Sequence, residues 1–199
     1  VQYPDTWVAA IVSASFHLNV LAKVATRRKQ LLHVMLDLDA GMHRTGIAFG
    51  PGAAKLYQDI DAHPFLQPAG LHLYDGHDNF SDATQREAAA NRHIDSLKEF
   101  KQQVESLGVS VPSVVAGGSF SFPYYARTDG MCGSPGTFEY WDAGNRTLMP
   151  DMPFQCAALV LTQVVDRYPD AGTITTDLGY KAISSDLQLE ERAFLLGRD

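Results

Sequence analysis

The sequence predicts an α/β fold made of parallel βα units. Three observations carry this expectation. Short continuous apolar runs, "LLHVMLDLD", "FLQPAGLHLY" and "VPSVV", suit strands buried on both faces, as in a parallel sheet covered by helices. Segments with apolar residues three and four apart separate them, the helical period. Residues able to do chemistry gather where the apolar runs end, the usual place for a site in such folds.

In chain order, the spacing between Ser15 and Thr26 predicts a helix whose basic end, Arg27-Arg28-Lys29, favours the helix dipole. "LLHVMLDLD" follows as a strand. Pro51 in "GPGAAKLYQDIDAH" marks a helix start. "FLQPAGLHLYDGH" is the next strand, and a long helix runs through "SDATQREAAANRHIDSLKEFKQQVESLG", with Ser81 as N-cap and Gly108 as C-cap. "VPSVVAGGSF" is a third buried strand. From about residue 153 the texture changes: "ALVLTQVVDRY" and "GTITTDLGYKAISSD" are rich in β-branched residues and lack helical spacing. The expected organisation is an α/β region over residues 1–152 and the start of a β-rich domain over 153–199. A closed eight-stranded barrel usually takes about 250 residues. With four to five βα-type strands expected here, either the sheet is open or the 199 residues are part of a larger protein.

The composition is that of a globular protein, 45% hydrophobic and 20% charged. With 23 acids against 16 Lys and Arg, no basic surface is expected for nucleic acid. No apolar run approaches the ~20 residues that cross a bilayer, and no signal-peptide pattern opens the chain. Only two cysteines occur, which fits a reducing, cytoplasmic setting. Cys156 reads as a small core residue and Cys132 as a loop residue.

Four motifs carry chemistry. In "DLDAGMHRTG" a strand ends in acids and a loop bearing Arg44, whose fixed fork of donors suits an anionic oxygen. In "GLHLYDGHDN", strand alternation puts Gly70, His72 and Tyr74 on one face and Leu71, Leu73 and Asp75 on the other. A metal site there would recruit His72, Asp75, His77 and Asp78, but alternation separates His72 from Asp75, and zinc wants three or four convergent ligands. His72 reads equally as a hydrogen-bonded core histidine. In "AGGSFSF", the glycines let backbone N–H groups approach an anion and the serine adds a donor. "GSPGTFEY" offers a second glycine–hydroxyl pair, Gly136 and Thr137, and α/β barrels build phosphate sites from their last strands.

In order and spacing, "DLDAGMHRTGI", "GLHLYDGH", "VVAGGSFSF", "SPGTFEYWD" and "TTDLGYKAISSD" resemble the D-threonine aldolase and D-serine dehydratase group. That group belongs to the alanine-racemase-like, fold-type III pyridoxal-phosphate enzymes. The resemblance, spanning about residues 33–185, implies a (β/α)8 TIM-type barrel, only partly represented here, followed by the β-rich domain. It implies pyridoxal phosphate as cofactor and a lyase acting on a small D-β-hydroxy amino acid. Arg44 would sit near the phenolic oxygen of the cofactor ring, and Tyr74 would take the place of the ring-stacking aromatic. Gly117, Gly118 and Ser119 would bind the phosphate from one loop, Gly136 and Thr137 from the next. His77 would help with proton transfer or with the substrate, and Asp177 and Lys181 would be structural. The resemblance also implies a homodimer and a divalent metal, manganese or zinc, held by residues outside this chain. The family's Schiff-base lysine has no counterpart: Lys23 and Lys29 lie in a helical, basic setting. The expectation is therefore that these residues are part of a longer enzyme. The alternatives are an amino-acid racemase of the same fold, a non-catalytic pyridoxal-phosphate-binding protein, and a metal-dependent hydrolase built on "HLYDGHD".

Overall fold

Strand β2 (Leu32–Asp39) and strand β3 (Leu66–Tyr74) form the spine of the fold. A computed structural model describes residues 6–179, 181–185, 188 and 191–197. The chain divides into two compact units, Val1–Pro135 and Gly136–Asp199.

In the first unit β1 (Ala9–Val12), β2, β3, β4 (Val114–Ala116) and β5 (Met131–Gly133) pair in that order, every pair parallel. Between them run α1 (Ser15–Arg28), α2 (Pro51–Asp61), α3 (Ala83–Ser106) and the short α4 (Phe122–Ala126). This is the expected alternation, and the five strands match the anticipated number. Strands β1 and β5 were not foreseen: four residues, AAIV, carry too little pattern to separate a strand from the start of the helix that follows, and the three residues of β5 place Cys132 in a strand rather than the expected loop.

The core lies on the helix-covered face. Leu36, Leu38, Leu71, Leu73, Val114 and Ala116 pack with Leu56 and Ile60 of α2 and Leu97, Phe100 and Val104 of α3. Alternation along β2 and β3 makes this the face of the leucines. It leaves Asp37, Asp39, His72 and Tyr74 to the other face. The register sets Asp37 beside His72 and Asp39 beside Tyr74.

Helix ends follow local rules. Lys29 closes α1 in the left-handed conformation, φ 50°, after a last turn that carries Arg27 and Arg28. The N-cap of α3 is Asp82, not Ser81: its carboxylate accepts the Gln85 N–H at 2.9 Å. Ser81 instead offers its carbonyl to the buried Arg86 guanidinium, Nη1 at 2.6 Å. The C-cap is Leu107 rather than Gly108, which follows it in the left-handed region at φ +87°.

In the second unit, α5 (Ala143–Leu148) is capped by Asp142, and β6 (Val164–Tyr168) pairs antiparallel with β7 (Thr173–Thr176). The strand expected from "ALVLTQVV" is therefore shorter. Leu159 and Leu161 lie before it, exposed and outside regular structure, and Cys156 is half-buried there rather than in a core. Asp177 has the structural place expected of it. Its carboxylate accepts the Thr162 hydroxyl at 2.6 Å and the Gln163 N–H at 3.0 Å, closing the hairpin ends, and these bonds hold its pKa below the ordinary value. Tyr180 and Asp186 of the same motif lie outside the described residues. No described helix is long and apolar enough to cross a membrane.

Candidate cofactor site

All five strands of the first unit run parallel, so their carboxyl ends and the loops that follow share one end of the sheet. The loop after β2 is fastened by Asp39, which accepts the backbone N–H groups of Gly41 (2.9 Å) and His43 (3.0 Å) and meets His43 Nδ1 at 2.6 Å. Burial works against the charge on Asp39. The two N–H groups and the His43 ring outweigh it and keep its carboxyl below the ordinary range. Gly46 is required here: at φ +99°, a Cβ would come 2.6 Å from the Asp39 nitrogen.

This anchored loop carries Arg44, whose guanidinium lies 4.5 Å over the Tyr74 ring. Two glycines give that ring its room. A Cβ on Gly118 would come 2.9 Å from Tyr74 Cε2, and one on Gly76 would strike its hydroxyl. Beside it His72 Nδ1 meets Asp37 Oδ1 at 2.6 Å, which fixes the imidazole orientation and leaves Nε2 as its second nitrogen. Asp37, Met42, Arg44, Thr45 and Tyr74 line one shallow hollow.

Asp75 turns inward, as alternation required. Its buried carboxylate accepts the Ser121 hydroxyl at 2.7 Å and the Tyr125 hydroxyl at 2.8 Å. The Ser121 oxygen in turn accepts the Gly118 N–H at 3.0 Å, and the Gly117 N–H donates to the Leu73 carbonyl at 3.0 Å. The two glycines thus shape the turn with their N–H groups engaged inside the protein. Ser119 lies on the same turn. Burial, and then the Asp75 charge, push the Tyr125 phenol far above its ordinary value; burial does the same to Tyr57, whose hydroxyl donates to the Ser110 carbonyl at 3.1 Å. Groups raised in the folded state stabilise it fully below their unfolded value near 10, and that contribution is lost as pH rises beyond it. Urea midpoints measured from pH 8 to 11 are therefore expected to hold and then fall above about pH 10.

His77 is on the turn after β3, with Nε2 4.0 Å from Asp78 Oδ1. Asp78 is bonded instead to His93 of α3, Oδ2 to Nε2 at 2.7 Å. The four residues of the alternative metal reading are thereby separated: His72 belongs to Asp37, Asp75 to Ser121 and Tyr125, and only His77 and Asp78 stay together. Gly136 and Thr137 belong to the second unit, where Thr137 Oγ1 accepts from Asn145 Nδ2 at 3.2 Å.

The alanine racemase, N-terminal domain, family matches residues 2–142. The chain belongs to this family. Its fold is a TIM-type barrel, partly represented here by five parallel strands. Solved structures agree at low identity. An alanine racemase-like protein from Idiomarina loihiensis superposes with a TM-score of 0.76 and 16% identity, covering 96% of this chain and 50% of its own. The D-threo-3-hydroxyaspartate dehydratase of Delftia sp. HT23 gives 0.74 and 20%, covering 94% and 50%. The D-threonine aldolase of Filomicrobium marinum gives 0.73 and 22%, covering 79% and 44%. The chain spans about half the length of these structures. No curated protein matches it.

The family implies pyridoxal phosphate, and the donor set in this alanine racemase-like unit fits such a group. Arg44 supplies charged N–H donors, Tyr74 an aromatic face, and the hollow between them carries the Thr45 hydroxyl. No lysine of the first unit lies at the strand ends: Lys23, Lys55, Lys98 and Lys101 are on helices, and Lys29 caps α1.

Proposed function

We propose that this chain is the cofactor-holding part of a pyridoxal-phosphate-dependent lyase acting on a D-β-hydroxy amino acid, by aldol cleavage or by loss of water and ammonia. The observation that carries the proposal is the Arg44–Tyr74 stack at the strand ends, beside the His72–Asp37 pair. Two of the three similar structures, a D-threonine aldolase and a D-threo-3-hydroxyaspartate dehydratase, support the lyase reading.

When bound, the cofactor supplies an electron sink for charge at the substrate's α-carbon. The chain's own residues bind and orient. Arg44, exposed on its loop, donates to an anionic oxygen, and the Tyr74 ring beneath it favours this position of the guanidinium. Tyr74, boxed by Gly76 and Gly118, offers a fixed aromatic wall. His72 is held at Nδ1 by the Asp37 carboxylate, which fixes the orientation of its ring. In this reading Ser119 contributes its hydroxyl to the phosphate, and the Schiff-base lysine comes from outside these residues. A homodimer, whose mass sedimentation would report, belongs to the same proposal.

Pyridoxal phosphate titrated into the purified chain is expected to shift its own absorbance on binding. Arg44→Ala should weaken that binding about ten- to a hundredfold, the equivalent of the ~1.5–3 kcal/mol of a hydrogen bond to a charged group. Absence of cofactor binding, together with no release of aldehyde or ammonia from D-threonine or D-3-hydroxyaspartate, would sink the reading. A racemase is the second reading, favoured by the Idiomarina structure. Exchange of the substrate α-proton with solvent deuterium, without carbon–carbon or carbon–oxygen cleavage, would identify it.

A further inference from the structure

The cluster at the end of β3 that the cofactor reading does not use is His77, Asp78 and His93. One ligand atom from each lies within 4.8 Å of the others. The two elements that bring them together are rigid. His77 and Asp78 sit on a turn closed by the Asp78 N–H to the Asp75 carbonyl at 2.9 Å, with Asp75 itself buried. His93 projects from the middle of the 24-residue helix α3. The rings of His77 and His93 have centroids 6.1 Å apart. Gly41 of the Arg44 loop closes one side: a Cβ there would come 3.3 Å from His77 Nε2.

We propose that His77, Asp78 and His93 bind a zinc-class divalent cation, in place of the proton-transfer role expected of His77. Two imidazole nitrogens and one carboxylate oxygen are the donors of a three-ligand zinc site whose fourth position is left to water or substrate. A tetrahedral ion about 2.0–2.1 Å from each ligand holds the ligands about 3.4 Å apart. The observed spacings, 2.7 Å from Asp78 Oδ2 to His93 Nε2 and 4.0 Å from Asp78 Oδ1 to His77 Nε2, lie on either side of that value. Binding would need the three side chains to rotate from these positions toward a common centre. A bound ion would clamp the turn that follows Tyr74 to α3. The site uses none of the residues assigned to the cofactor, and it differs from the expectation of a metal held outside this chain.

The competing arrangement is a cation-free Asp78–His93 hydrogen bond with His77 as a bystander. The two are separated by titrating zinc alone into the purified, chelator-treated chain against a chromophoric competitor. Expected is one equivalent bound with a Kd at or below about 1 μM, a rise in Tm with zinc, and visible absorption of a tetrahedral kind on cobalt substitution. His77→Gln and His93→Ala should each weaken binding at least about tenfold. His77→Gln is the decisive variant, because His77 holds no core contact and its loss leaves the fold intact by circular dichroism. Failure of the parent chain to bind one equivalent at that affinity overturns the proposal. So does binding that survives both substitutions, since it then belongs to scattered surface histidines. Neither result depends on whether pyridoxal phosphate binds.

Discussion

Gly70→Ala is expected to cost about 4 kcal/mol or more, enough to move most of the chain into the insoluble fraction on expression. Gly70 follows the register shift between β2 and β3 and sits at φ +129°, where a side chain is already strained. A Cβ there would lie on top of the Ser113 carbonyl oxygen. That oxygen cannot retreat, because it accepts the Leu71 N–H at 2.9 Å where β3 and β4 begin to pair. Relief requires opening the β3–β4 ladder, which positions Tyr74 against the Gly118 turn. Urea midpoints check this. A variant within about 1 kcal/mol of the parent would show that the strand ends are not held by this contact.

Asp75→Ala is expected to cost about 2–5 kcal/mol by stranding two buried hydroxyl donors, at ~1–3 kcal/mol each. Ser121 and Tyr125 both donate to this one carboxylate, and all three residues are buried. The damage should extend beyond stability. Ser121 also receives the Gly118 N–H, so losing Asp75 frees the turn that carries Ser119. Asp75→Asn keeps one acceptor oxygen and should fall between parent and alanine variant. Denaturation midpoints of the three proteins give the order. An alanine variant as stable as the parent would mean that water replaces the carboxylate.

Much of this architecture was legible in the residues. Continuous apolar runs gave away the buried parallel strands, and alternation assigned Leu71, Leu73 and Asp75 to one face and His72 and Tyr74 to the other. Pro51 marked a helix start where predicted, and Gly108 an end one residue past the true cap, Leu107. What escaped was long-range. Asp82 was missed because Ser and Asp at neighbouring positions are comparable N-caps, and backbone geometry chooses between them. His93 was missed as a partner of Asp78 because on the sequence it is only a polar residue in a helix. Asp75 looked like a turn acid until Ser121 and Tyr125 were seen to converge on it. The Asp37–His72 pair depends on the β2–β3 register, which no local pattern specifies.

The parallel ladder also sets how the site comes into being. Each neighbouring strand is reached only after a crossover, so partners are distant along the chain: Asp37 and His72 are 35 residues apart, Asp75 and Tyr125 50. Loop-closure entropy must be spent before such contacts return anything. The helices can form early from local contacts, whereas Arg44, Tyr74 and the Gly118 turn meet only when the strands register. The candidate site is therefore expected to take shape together with the β2–β3–β4 ladder rather than before it.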